Sequence, residues 1–349
     1  MLYRKLGRTG LNVSLIGLGT MTYGEQNSDA EGHAQMDTAL AQGVNVFDTA
    51  ELYSIPPRRE TAGSTERIIG SWFKARKNRD QVILATKAIG RTSMTWFRDD
   101  GAPGRLTRAQ LTEALNKSLA RLQTDYIDLY QLHWPDRSLP WGANPTRFKA
   151  PEFHDDGAPF HETLEILDGF VKSGKVRAIG VSNESAWGTM RYLAEANARG
   201  LPRIASIQNA YNLLNRTFDV GLAEIALRED VGLLAYSPLA QGCLTGKYLD
   251  GARPPGARNT LFSRGERYEL PGAEAATKAY VTIAREFCLD PAQMALAFVN
   301  QQPFVASTLI GATTLAQLKT DIAAIEVKLS PEIMARIDAI HQLHGNPAP

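Results

Sequence analysis

"TRAQLTEALNKSLARLQTDYIDLYQLH" (residues 107–133) holds one complete structural unit. Thr107 followed three residues later by Gln110 is a capping-box pattern that opens a helix. Leu111, Leu115, Leu119 and Leu122 then recur at helical spacing. "YIDLYQL" (126–132) is a short run rich in Ile, Leu and Tyr that reads as a strand, and it stops at His133.

The same alternation extends in both directions. "LIGLG" (15–19) precedes a helix near 29–41 that ends at Gly43, "VNVF" (44–47) precedes a helix from Ser64, and "VILAT" (82–86) precedes the helix from Thr107. A helix near 161–173 stops at Gly174 and is followed by "VRAIGV" (176–181), "ASIQ" (205–208) and "GLLAY" (232–236), with helices after or between them. Asp290 and Pro291 fit the N-cap and first position of a late helix. "VASTLIG" (305–311) is the last strand, backed by a helix near 314–324. Eight such units in one chain predict a (β/α)8 barrel, a single domain over 1–349. "YRKLGRTGLNVS" ahead of the first strand predicts a β-hairpin that plugs the barrel bottom. Two segments, about 134–160 and 237–272, exceed ordinary connections, and long loops in a compact domain are usually functional or disordered.

Composition narrows the class. The chain is 44% hydrophobic and 21% charged, an ordinary globular balance. Lys and Arg number 38 against 37 Asp and Glu, without long runs of one sign, which gives no reason to expect a nucleic-acid or membrane surface. The two cysteines, Cys243 and Cys288, form no CxxC, which argues against a zinc site and fits a reducing compartment. No secretory signal or membrane span is expected, and the cytoplasm is the expected location. His341 and His344 make an HxxH that fits a solvated helix face, since no carboxylate or thiol pattern accompanies it.

In a barrel of this kind chemistry sits at the C-terminal strand ends. Read in order, those ends offer Asp48 with Tyr53 in the loop behind it, Lys87, His133, Ser182 with Asn183, Gln208, Tyr236 with Ser237, and Gly311. A phenol has an ordinary pKa of about 10. A nearby ammonium is expected to lower it, a carboxylate to hold that ammonium, and a histidine to bind a substrate oxygen. Such a set suits protonation of a carbonyl oxygen while hydride reaches the carbon, and none of its members can supply hydride, so a nicotinamide cofactor is required. The dinucleotide fingerprint of open-sheet folds is missing, because "GLGTMTYG" (17–24) carries only the first two glycines.

"GLGTMTYG", "GVNVFDTAELY", "LATK", "YIDLYQLHWPD", "GKVRAIGVSN", "IQNAYNLLNR", "AYSPLAQGCLTGKY" and "LIGATTLAQL" occur in this order along nearly the whole chain. Together they resemble the aldo-keto reductase superfamily, especially the branch of bacterial Tas-like reductases and potassium-channel β-subunits. The resemblance implies an NADPH-dependent reductase that turns an aldehyde or ketone into an alcohol. It implies a tetrad of Asp48, Tyr53, Lys87 and His133, with Tyr53 as general acid. It also implies contacts to NADP(H): Ser182, Asn183 and Gln208 at the carboxamide, Tyr236 stacked on the nicotinamide, and Ser237, Leu239, Gln241 and Gly242 along the pyrophosphate. Lys247 and Arg258 would meet the 2′-phosphate, and Gly311, Thr313 and Gln317 the adenosine. Thr20, Met21 and Gln26 would contribute from the first loop. Asp321 departs from the Asn frequent in relatives, and a carboxylate there can accept from adenine but not donate. The resemblance also admits a protein of another class, a cofactor-binding regulatory subunit that senses NADP(H) and turns over slowly. A phosphate-binding barrel enzyme without nicotinamide is the third possibility. The sequence names neither the substrate nor the oligomeric state, and 134–160 carries no family pattern.

Overall fold

The computed structural model describes residues 1–137, 139, 156–262 and 267–348. The 134–160 segment therefore lies mostly outside the described residues, as do four positions of the 237–272 segment.

Strands β1 (Tyr3–Lys5) and β2 (Asn12–Ser14) pair antiparallel as the expected hairpin. Eight parallel strands follow: β3 (Ile16–Gly19), β4 (Val46–Asp48), β5 (Ile83–Ala88), β6 (Ile127–Leu132), β7 (Val176–Ser182), β8 (Ile204–Ala210), β9 (Gly232–Tyr236) and β10 (Val305–Ile310). They close in sequence order, β10 pairing back onto β3, so this is the (β/α)8 barrel that the alternation predicts.

Side chains alternate across each strand, so one parity faces the barrel axis. Val46, Ala85, Leu129, Ala178, Ala205, Leu234 and Ala306 pack into one small cluster with Leu6 and Val13 of the hairpin, which closes the bottom. Two residues further along the same parity stand Asp48, Lys87, Gln131 and Tyr236. The interior thus changes from apolar to polar toward the C-terminal rim. The opposite parity packs outward in the large cluster that holds Phe47, Leu84, Tyr130, Ile179, Ile207 and Leu233 with the helices.

Helix boundaries mostly follow their signals. Asp290 accepts from the Gln293 N–H at 3.0 Å, and Pro291 opens the helix Pro291–Asn300. The expected capping box at Thr107 is only half formed. Thr107 accepts from Gln110 N–H, but the Gln110 side chain turns back to accept from Arg105 N–H (2.7 Å) and donate to Pro103 C=O (2.9 Å). The preceding loop offers the amide two partners where the N-cap offers one. Among the described residues no helix is long and apolar enough to cross a membrane, and no His, Cys, Asp and Glu cluster is placed to hold a metal.

Candidate active site

The strand ends converge on a cavity of about 1110 Å³ at the C-terminal rim. Asp48, Tyr53, His133, Ser182, Asn183, Gln208, Tyr236, Ser237, Leu239, Gln241, Gly242, Lys247, Arg258, Gly311, Thr313, Gln317 and Asp321 all line it, and Thr20, Met21 and Gln26 line it from the loop after β3. Every candidate catalytic or cofactor residue named from the sequence therefore reaches this one cavity except Lys87, which lies directly beneath it.

Lys87 is fully buried and held on two sides. Its Nζ donates to Asp48 Oδ2 at 2.7 Å and to the Thr49 carbonyl at 2.8 Å. Gln208 Nε2 donates to the other Asp48 oxygen at 2.8 Å, and Gln131 Nε2 approaches it at 3.4 Å. Above this base, Lys87 Nζ lies 4.9 Å from the centre of the Tyr53 ring. Tyr53 meets His133 edge-on, ring centres 5.6 Å apart.

The electrostatics follow from that packing. Burial works against the Lys87 ammonium, but Asp48 and Tyr53 overcome it and its pKa lies above the ordinary value. Lys87 is therefore charged throughout the neutral range. His133 is pushed well below the usual imidazole range, first by burial and then by Lys87, so the ring is neutral with one N–H to give. One expectation is corrected here. Burial raises the Tyr53 phenol above its ordinary value, and the Lys87 charge opposes this without reversing it. The ammonium moderates an upward shift rather than producing a low pKa. The phenol is consequently protonated at neutral pH, the form a proton donor needs.

Away from the tetrad the rim is cross-linked. Tyr236 OH donates to Asn183 Oδ1 at 2.7 Å, Asn183 Nδ2 donates to the His133 carbonyl at 2.9 Å, and Ser182 Oγ donates to the Gln208 carbonyl at 2.7 Å. The loop after β9 then turns through left-handed backbone at Ser237, Ala240, Gln241 and Gly242. At Gly242, φ is +93°, which favours glycine, and a Cβ would lie 2.9 Å from Lys247 Nζ, so any other residue would push that ammonium aside.

At the far end Lys247 forms no direct ion pair with a carboxylate of the described residues, and burial lowers its pKa against the opposing pull of Asp321. Asp321 sits near it, 5% exposed, with its pKa pushed up to about 7 by burial and by Asp290. The sequence reading gave Asp321 only acceptor capacity; a carboxyl half-protonated near neutral pH also donates. The sign of its effect on stability is fixed. The folded pKa is above the unfolded one, so burying the carboxylate is costly above about pH 7 and free well below the unfolded value. Asp321→Asn should raise the melting temperature at pH 8, by a gain of a few kcal/mol or less, and change it much less at pH 5. Equal shifts at the two pH values in thermal unfolding would exclude this account.

Sequence reasoning missed Gln131, Trp134 and Arg267. Gln131 was readable, since it shares the inward parity of Leu129 and His133. Trp134 directly follows His133 and lines the cavity, as does Arg267.

The comparisons with known proteins agree with the geometry. The model of the Aldo/keto reductase family matches residues 15–342. The chain is 52% identical, over the full length of both, to "Protein tas" of Escherichia coli (strain K12). It is 34% identical to "Uncharacterized oxidoreductase YrpG" of Bacillus subtilis (strain 168), over all of this chain and 98% of that one. It is 31% identical to the "Putative voltage-gated potassium channel subunit beta" of Schizosaccharomyces pombe, over 97% of this chain and 92% of that one. A barrel whose strand ends bring Asp48, Tyr53, Lys87 and His133 together, matched over nearly its whole length by this family model, belongs to the aldo/keto reductase family.

Proposed function

We propose that the protein is an NADPH-dependent oxidoreductase that reduces an aldehyde or ketone to the alcohol. The observation that carries this reading is the buried Asp48–Lys87 pair under Tyr53 and His133, at the head of a cavity that runs on to Lys247 and Arg258.

The residues present fit a nicotinamide dinucleotide. The cavity is polar where a carboxamide would lie (Ser182, Asn183, Gln208), has an aromatic face at Tyr236, and has left-handed backbone followed by two cations at its other end. A phosphate is the natural partner for an ammonium that forms no direct ion pair with a carboxylate of the described residues. When bound, the reduced cofactor supplies the hydride, two electrons and one proton nucleus, and leaves oxidised.

The chain's own groups do the rest. Neutral His133 gives its N–H to the carbonyl oxygen and fixes the substrate's orientation. Tyr53 delivers a proton to that oxygen as charge develops on it, so carbonyl plus hydride plus proton gives the alcohol. Lys87 stabilises the phenolate left behind, and Asp48, itself held by Gln208, keeps Lys87 in place. Leu52, Ile55, Met94 and Trp134 give the carbonyl end an apolar wall that excludes water. The test is NADPH oxidation against a panel of aldehydes and ketones, repeated with NADH. A regulatory subunit would bind NADPH but oxidise it slowly with every carbonyl, and stopped-flow absorbance separates the two.

Gly242 provides a further check. Gly242→Ala must displace the Lys247 ammonium, and part of a charge-assisted contact worth about 1.5–3 kcal/mol should be lost. NADPH should bind about tenfold more weakly by fluorescence titration. Unchanged affinity would argue against a phosphate at Lys247.

A further inference from the structure

A second ion pair, Glu51–Arg98, is buried beside the tetrad. The side chains are 3% and 0% exposed, and the guanidinium grips the carboxylate with two bonds of 2.9 Å. A buried pair of this kind is seldom a net gain over apolar side chains of the same volume, so its presence calls for another reason.

The sheet supplies one. Between β4 and β5 the bonds advance in steps of two: Ile83 N–H to Asn45 C=O, Thr49 N–H to Ala85 C=O, Glu51 N–H to Lys87 C=O. The next partner of Ile89 N–H in this parallel ladder would be the Glu51 carbonyl. The chain instead turns away, closing with Tyr53 N–H on Ala50 C=O, and Glu51 Oε1 takes the Ile89 N–H at 2.8 Å. The side chain thus replaces the carbonyl that the turn removes. It lets the chain leave the sheet two residues before Tyr53 while staying tied to both sides of Ala88, next to Lys87. Arg98 belongs to the loop after β5, whose Phe97 packs with Ala50, Leu52, Ile89 and Trp134, the cluster on which Tyr53 and Met94 rest.

We propose that Glu51 is a positioning residue that sets Tyr53 over Lys87 by standing in for the missing ladder carbonyl, with Arg98 coupling this clamp to the wall of the carbonyl pocket. The proposal rests on Tyr53 being the proton donor.

Two double variants test it: Glu51→Gln with Arg98→Met, and Glu51→Met with Arg98→Met. Both remove the charges and keep the volume, but only glutamine retains an acceptor for Ile89 N–H. Single-turnover hydride transfer should be about tenfold slower in the methionine form than in the glutamine form, as for other small misplacements of reacting groups. NADPH titration should give similar affinities for both. In alcohol oxidation with NADP⁺, the pH limb that reports the phenol should lie at higher pH in the methionine form, because Lys87 is less well placed to hold the phenolate. A purely structural role would move the melting temperature but not that limb. Equal rates and equal limbs in the two variants overturn the proposal. Where the double variants do not fold, Glu51→Asp keeps the charge pair but draws the acceptor away from Ile89. It should slow transfer and raise the limb, and an unchanged rate and limb overturns the proposal equally. Tyr53→Phe is run alongside. Near-normal transfer there would reject the proton-donor reading itself, whereas an inactive Tyr53→Phe beside indistinguishable double variants rejects only the role of Glu51.

Discussion

Tyr53→Phe should lower turnover at least about 100-fold, the range for loss of a general acid. The substitution keeps the ring, so the edge contact with His133 and the packing over Lys87 survive. NADPH affinity should hardly change, because Tyr53 stands at the head of the cavity beside His133 and the cations proposed to meet phosphate lie at the other end. The effect is chemical rather than structural. The buried phenol is protonated at neutral pH, and no other group at the head of the cavity can replace it. His133 is neutral and holds its proton for a hydrogen bond, and Lys87 is locked between Asp48 and the Thr49 carbonyl. Steady-state rates on several carbonyls, with NADPH titration by fluorescence, provide the check. A mutant that keeps near-normal turnover on every good substrate would remove Tyr53 from the mechanism.

The barrel was legible because each strand carries its own signal. A short, mostly apolar run ends, in most strands, at a polar residue, and a helix follows. The convergence of Asp48, Tyr53, Lys87 and His133 was legible for the same reason, since a parallel barrel brings all strand ends to one rim whatever their separation in sequence. What stayed hidden depends on balances and on partners far along the chain. The net shift of Tyr53 is a contest between burial and the Lys87 charge, and burial is a property of the packed molecule. Glu51 stands in plain view in "FDTAELY", but its counter-ion is 47 residues away in a loop without periodicity. Gln110 sits at the right offset for a capping box, yet Arg105 and Pro103 compete for its amide. Sequence spacing predicts where a side chain can reach, and only tertiary structure decides among the partners within reach.

Replacing both Lys247 and Arg258 with alanine should be the most damaging change to cofactor binding. Each charge-assisted contact to a phosphate is worth about 1.5–3 kcal/mol, so the pair together should weaken NADPH by about 100-fold or more. NADH lacks the 2′-phosphate, and its affinity should change little. The two residues approach the cavity from different segments. Lys247 follows the left-handed turn at Gly242, and Arg258 opens the short helix Arg258–Phe262. Neither substitution therefore deletes the other's support. The local charge sharpens the expectation: with Lys247 gone, Asp321 loses the cation that lowers its pKa, and its carboxyl should become still harder to ionise. The NADPH loss should then be smaller at pH 8 than at pH 6, because the repulsion that an ionised Asp321 exerts on the phosphate at pH 8 is partly relieved once Lys247 is gone. Fluorescence titrations of both cofactors at both pH values measure all three effects. Equal weakening of NADPH and NADH would show that the two cations support the loop rather than recognise a phosphate.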